Sequence, residues 1–266
     1  MSDARSLLAL TGAAILLLGA CAGGGSESAS PSSSPSSSAS SSASPSAVSS
    51  ASQAAVLTPE QLAAVLVRPD DYEGQWTVNV PPDSQAAVPG VVTEEQQKML
   101  PRIELCDDAS AESRSAAEAL HWQAFRQLDQ SETDPIDMAP GDRVGHMIFV
   151  QQFLMSGDPA EVESTFEALR DGMQACQGPI PAGEEGPGTT GPMTVPDVGD
   201  DRYGDLTTME EAGGGAQWLL HNSLVRQGSV LMDLQVVDIV MGEGVEPAFT
   251  TENIGTFVTT AVDKLP

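Results

Sequence analysis

Apolar and polar positions divide the 266-residue chain into three stretches of different character. The first is an apolar run from Leu7 to Leu18, broken only by Thr11 and Gly12. The second, residues 22–54, has no helical or strand period and consists of Gly, then Ser, Ala and Pro. The third, residues 55–266, carries both periods. Thr58-Pro59-Glu60-Gln61 is a helix start, with Thr as cap and Pro in the first turn, and Arg68-Pro69-Asp70-Asp71 stops that helix. Thr93-Glu94-Glu95-Gln96 repeats the capping pattern ahead of a short helix that Pro101 ends. Residues 110–119 are Ala-rich and helix-forming. Asp158-Pro159 opens the strongest helix: Val162, Phe166, Leu169, Met173 and Cys176 recur at helical spacing, and Gly178-Pro179 terminates it. Ile254, Phe257, Val258, Ala261 and Leu265 form the stripe of a last helix.

Strand patterns fall between these helices. Residues from Leu120 to Leu128 fit either period, and the Trp and Phe content favours a strand. Val144–Met155 is apolar on both faces and is expected in the middle of a sheet. Tyr203–Glu210, Ala216–Arg226 and Ser229–Ile239 are three more strands. Gly213-Gly214-Gly215 separates the first two, and Gln227-Gly228 reads as the tight turn joining the last two. Residues 129–142 and 179–200 read as loops. The sum is an α+β domain, an antiparallel sheet flanked by helices.

The apolar run near the start is too short to span a bilayer, which needs about 20 residues. It reads as the core of a signal peptide covering residues 1–20. It ends in Leu18-Gly19-Ala20-Cys21, which resembles the bacterial lipobox. The resemblance implies that small residues there admit the peptidase, and that the Cys21 thiol is lipidated through a thioether and becomes the new N-terminus. Acyl chains contribute about 0.8 kcal/mol per buried CH₂, so two or three anchor firmly. Residues 21–54 are then a lipidated Cys and a linker, because Ser, Ala and Pro bury too little apolar surface to offset the entropy of ordering. About 30 such residues form a coil roughly 30 Å across. The composition also permits O-glycosylation. The expected placement is the outer face of the membrane, exposed to the cell wall, with residues 55–266 as one extracellular domain.

The formal net charge is -27. Acidity spread along the chain, with Lys98 and Lys264 as the only lysines, argues against a nucleic-acid partner. Asp197, Asp200, Asp201 and Asp205 are the densest acidic cluster and a weak candidate for calcium; the residue types read first as a solvated loop, and EF-hand spacing is absent. With Cys21 assigned to lipid, Cys106 and Cys176 make an even pair in an exported chain, which reads as a disulfide. A pair of buried thiols, a metal site or a nucleophile are the alternatives. Motifs for serine hydrolases, zinc peptidases, P-loops and dinucleotide folds are absent, so no cofactor is expected. His121, His146 and His221 all fall in strand-like segments, and Ser223 lies two residues from His221. Trp122, Trp218, Tyr203 and His221 are the candidates for lining a binding cleft, with core packing as the competing role for the aromatics. Met147, Met155, Met173, Met232 and Met241 read as core fillers.

Several pieces in order resemble a family of exported proteins of high-GC Gram-positive bacteria, which includes the extracellular sensor domain of PknH-type serine/threonine kinases and free-standing lipoproteins. They are the early Leu-rich helix followed by Pro69-Asp70-Asp71-Tyr72, the Cys106 segment, Ala124-Phe125-Arg126, and the helix ending Met173-Gln174-Ala175-Cys176. Val198-Gly199-Asp200-Asp201, the hairpin Val225-Arg226-Gln227-Gly228-Ser229-Val230 and the last amphipathic helix complete the series. The resemblance implies a helix-flanked sheet with a ligand cleft. The chain departs from the kinase sensor in having one cysteine pair where the sensor has two, and no kinase domain. The functional expectation is therefore a non-enzymatic, membrane-anchored lipoprotein that binds an extracellular ligand or envelope partner. A cell-envelope hydrolase and a calcium-dependent surface protein are the alternatives.

Overall fold

The computed structural model describes residues 55–79, 88–100, 103, 105–130, 144–183, 186–211, 215–242 and 244–266. The leader, Cys21, the Ser-rich segment and most of the 129–142 stretch lie outside the described residues. Two of the anticipated caps form with both reciprocal hydrogen bonds. In α1 (Pro59–Ala64) the Gln61 N–H donates to Thr58 Oγ1 at 3.3 Å while the Thr58 N–H donates to Gln61 Oε1 at 2.8 Å. Thr93 and Gln96 do the same for α2 (Glu94–Gln97). Each box satisfies two donors that a helix start would otherwise leave open. The longest helix, α4 (Pro159–Ala175), starts where Asp158 accepts from the Ala160 N–H at 3.0 Å.

Eight strands form one sheet in the spatial order β1-β2-β3-β8-β7-β6-β5-β4. They are β1 (Trp76–Asn79), β2 (Ala124–Gln130), β3 (Gly145–Ser156), β4 (Gly178–Gly183), β5 (Gly186–Pro192), β6 (Asp201–Glu210), β7 (Ala216–Gln227) and β8 (Val230–Met241). Every adjacent pair is antiparallel. The central strand β8 is apolar at nearly every position because both of its faces are buried. One face packs on α1 and α5 (Thr251–Val262): Leu62, Leu66, Ile254, Phe257 and Val258 cluster with Val150, Leu154, Met232 and Leu234. Tyr72 and Trp76 close that core against Phe257, with ring centroids at 4.4 and 6.0 Å. Gln152 is fully buried within it; its Oε1 accepts from the Val67 N–H at 2.7 Å, which satisfies backbone just beyond α1. On the other face the α4 stripe Val162, Phe166, Leu169 and Met173 packs on Tyr203, Leu224 and Leu231.

Helix α3 (Ala111–Ala119) lies against α4, and the Cys106–Cys176 disulfide joins the segment before α3 to the end of α4 across 70 residues, with Cα atoms 5.4 Å apart. Contact between these helices is close at Gly172. A Cβ there would sit 2.6 Å from Leu105 Cδ1 and 2.8 Å from Ser113 Cβ. Ala is favoured over Gly by about 1 kcal/mol inside a helix, but overpacking costs about 1–3 kcal/mol. The Ser113 Cβ cannot rotate away. Gly172→Ala is thus expected to lose about 1 kcal/mol net, read as a lower urea midpoint at unchanged slope.

Four features differ from the sequence reading. Residues 179–200 contain β5 and most of β4, where a loop was expected. Gly- and Pro-rich strands show no apolar alternation. Gly188 is needed there because a Cβ would lie 2.6 Å from the Thr208 carbonyl oxygen, and Pro179 and Pro181 are tolerated on an edge strand. The β7–β8 turn is Gly228-Ser229, one residue later than expected, since Gln227 pairs with Val230 and Gly228 takes φ 58°. Residues 120–123 precede β2, so His121 and Trp122 are not strand residues. The edge strand β1 had no counterpart in the pattern.

Candidate functional site

Directly opposed residues of an antiparallel pair share a face, so the register can be followed across the sheet. One line runs Asn79–Gln127–Gln151–Gln235–Asn222–Asp205, through β1, β2, β3, β8, β7 and β6. Six adjacent strands thus each present an amide or carboxylate on the same face. This face is the one that α4 covers at one end. Towards α4 the neighbouring line is Phe125–Phe153–Asp233–Leu224–Tyr203. Away from α4 come Phe149–Val237–Leu220–Thr207 and then Met147–Ile239–Trp218–Met209. Val237, Ile239 and Met241 gather Met147, Phe149, Ala216, Trp218 and Leu220 around them, so among the described residues this cluster is built of strand residues.

The polar line is knitted by its own side chains. Gln151 Nε2 donates to Gln127 Oε1 at 2.9 Å, and Gln127 Nε2 to Asp129 Oδ1 at 2.7 Å. Asn79 Nδ2 reaches the other Asp129 oxygen at 2.7 Å. Gln235 Nε2 donates to Asp233 Oδ2 at 2.9 Å, and Asn222 Nδ2 to Asp205 Oδ1 at 3.1 Å. Asp205 and Asp233 are only 3% and 4% exposed. Burial pushes Asp205 up to about 6, against the opposing pull of the Asn222 hydrogen bond. Burial likewise pushes Asp233 up to about 7; the Gln235 hydrogen bond opposes this and the charge of Asp205 adds to it. Asn222 Oδ1 is buried and has no hydrogen-bond partner among the described residues. Tyr203 closes the α4 side, accepting from Gln177 Nε2 at 2.9 Å, and burial raises its phenol.

The four residues expected to line a cleft are divided by the sheet. Trp218 lies on the face of the polar line and Tyr203 at the α4 edge of that face. Trp122 is 2% exposed and packs on Phe153 at 5.5 Å, with Phe153 in turn stacked on Phe125 at 4.8 Å. His221 lies on the opposite face, 1% exposed, paired with Val236 in the layer that α5 covers. Neither ring nitrogen of His221 nor the Ser223 hydroxyl has a hydrogen-bond partner among the described residues. Burial holds the imidazole below its ordinary range, and Asp238 opposes that. Asp238 itself is fully buried and satisfied, facing His146 Nδ1 at 2.8 Å and accepting from the Ala248 N–H at 2.7 Å.

The acidic cluster is also divided. Asp197 pairs with Arg202, while Asp200 and Asp201 pair with Arg226; Asp200 also accepts from the Gly228 N–H at 2.7 Å. Asp200 and Asp201 tie the entrance of β6 to the end of β7 and the β7–β8 turn, while the Asp197 pair stays within the β6 entrance. Only Asp205 faces the polar line. Among the described residues no three His, Cys, Asp or Glu side chains converge as a metal set.

Sequence reasoning did not single out Asp233, Gln235, Asn222, Gln151 or Gln127. One signal was present: Asp233 and Gln235 interrupt the apolar run of β8 at spacing two, which places both on one face, while Asp238, at an odd spacing from them, falls on the other. The other members come together only through the register.

No protein-family model matches the chain, and no curated protein matches it. Among solved structures it is similar to the extracellular domain of PknH from Mycobacterium tuberculosis, at 14% identity over 79% of this chain and 97% of that one, with a TM-score of 0.41. It is also similar to LpqN, described as involved in cell envelope biogenesis of Mycobacterium tuberculosis, at 12% identity over 74% of this chain and 90% of that one, with a TM-score of 0.22.

Proposed function

We propose that this chain is a cell-envelope lipoprotein, anchored through an acylated Cys21, whose domain is a non-enzymatic receptor for a ligand held on the sheet face that carries the polar line. The observation that carries the receptor reading is the line of six amide and carboxylate residues on six adjacent strands, bordered by apolar rows. A sheet face whose only task was to meet water would not need buried carboxylates, which cost free energy unless something compensates them. A face whose only task was to pack would be apolar throughout. A mixed face of half-exposed amides beside aromatic and aliphatic side chains is the composition of a binding floor. Ser223 and His221 lie buried on the other face, away from the polar line. The order of sequence motifs supports an envelope setting, and the Leu18-Gly19-Ala20-Cys21 stretch supports the lipid anchor.

Two measurements on the native, membrane-extracted protein test this. Mass spectrometry should show the mature chain starting at Cys21 with an acyl mass, and Cys21→Ala should move the protein from the membrane fraction to the medium or leave it unprocessed. Retention of mature, unacylated chain on the membrane would overturn the anchor. Native-state mass spectrometry should find a co-purifying small molecule that the Asn222→Leu, Gln235→Leu double variant loses. Retention of that molecule by a folded variant would move the site elsewhere.

A further inference from the structure

We infer that the ligand of this face carries a protonated amine on an apolar body, with the ammonium over Asn222 and Gln235, between Asp205 and Asp233, and the body along Phe149, Leu220 and Trp218. This rests on the face being the binding site and adds the chemical class.

The argument is one of hydrogen-bond valence and charge. In the polar line each amide group sends a donor to a neighbour: Gln151 to Gln127, Gln127 and Asn79 to Asp129, Gln235 to Asp233, and Asn222 to Asp205. Each of those amide nitrogens keeps a second N–H, so hydrogen-bond capacity alone does not choose the ligand; the centre also holds open acceptors, and it is charge that decides. Asn222 Oδ1 is buried without a donor, and each of the two buried carboxylates takes one bond from the line where an ionised carboxylate can accept about four. The basic side chains that form ion pairs among the described residues are committed elsewhere: His146 to Asp238, Arg170 to Asp171, Arg202 to Asp197, Arg226 to Asp200 and Asp201, and Lys264 to Asp71. None of them meets Asp205, Asp233 or Asp129.

An ammonium offers three donors and a positive charge to a place where Asp205 and Asp233 meet no cation among the described residues, and its charge favours the ionised form of both carboxyls. A carboxylate or phosphate head would meet uncompensated like charge. A neutral polyol would supply donors but leave both carboxylates without a counter-charge. The apolar rows begin next to the polar line, at the partly buried Phe149 and Leu220, so the same molecule must turn a hydrocarbon surface towards them and Trp218.

The test is a titration of the full chain at neutral pH with hexylammonium, hexanoate and hexyl glucoside, three probes that share one body and differ in head group. Side-chain amide resonances of Asn222 and Gln235 and the fluorescence of Trp218 report the site. Hexylammonium should bind at least tenfold more tightly than either other probe and shift the Asn222 and Gln235 amides. In Asp205→Asn, Asp233→Asn that preference should fall below about threefold while the apolar contribution persists. Tighter binding of the glucoside or the anion than of the amine would overturn the ligand class but keep the site. No binding by any of the three would overturn the site itself. Should the double variant not fold, the ranking of the three probes on the unaltered chain decides alone.

Discussion

Reducing the Cys106–Cys176 bond, or replacing both cysteines with serine, should lower the thermal midpoint by about 10 °C. A cross-link closing 70 residues removes conformational freedom from the unfolded chain, worth about 4 kcal/mol in the loop-entropy account. One kcal/mol moves the midpoint of a domain of this size by about 2–4 °C. The local structure gives no second tie of equal strength. The α3–α4 layer contributes one modest apolar cluster, whereas α1 and α5 share a larger one with the sheet. Loss of the bond should therefore show first as increased amide exchange in α3 and the end of α4, with β3 and β8 still protected. Calorimetry with and without reductant, followed by hydrogen exchange, measures both. A shift below about 2 °C would mean that the helices hold together by packing alone.

A second large effect is expected at Asp233, and it has a sign that depends on pH. The ordinary value is 3.8, and burial raises this carboxyl to about 7 in the folded chain. Between those two values the folded state keeps a proton that the unfolded state has released. Stability from this group is thus complete below about pH 4, falls as pH rises towards 7, and is flat beyond. Three units correspond to roughly 4 kcal/mol at pH 8, an order-of-magnitude figure. Asp233→Asn keeps the shape and the hydrogen bond to Gln235 but cannot ionise. It should be stabilising at pH 8 by a few kcal/mol and nearly neutral at pH 4, read from urea unfolding of both chains. His221 acts in the opposite sense: burial lowers its folded value, so both chains lose stability as pH falls below about 6.5. Comparing the two chains at each pH cancels that contribution. An equal difference at pH 4 and pH 8 would show that Asp233 titrates normally in the folded protein. The variant also bears on function, because a receptor that keeps a costly carboxylate at its binding face gives up stability for recognition.

How much could be seen beforehand differs by element. Thr58 with Gln61, Thr93 with Gln96 and Asp158 with Pro159 announced their helices because capping is chemistry between residues two or three apart. The α4 stripe and the two-faced apolar run of β3 announced a helix on a sheet for the same reason. The strands β4 and β5 were hidden because Gly178-Pro179-Ile180-Pro181 carries turn-forming residues, and only an edge position and close backbone approach make a strand of it. The candidate site was hidden more deeply. Gln127, Gln151, Asn222 and Gln235 are unremarkable polar letters in four separate strands, and a slip of one residue in any pairing would turn that side chain to the other face.

What the sequence by itself determined is whatever local physics decides: where helices start and stop, which strand is buried on both sides, and which two cysteines of the domain can join. What only the tertiary structure decided is which polar residues meet. Strand register is settled by packing on both faces of the sheet at once, and the line from Asn79 to Asp205 exists only after six strands have aligned. The same alignment sent Trp218 to the face of the polar line and His221 to the one that α5 covers, because each strand residue points opposite to its neighbour and the pairing chooses the side.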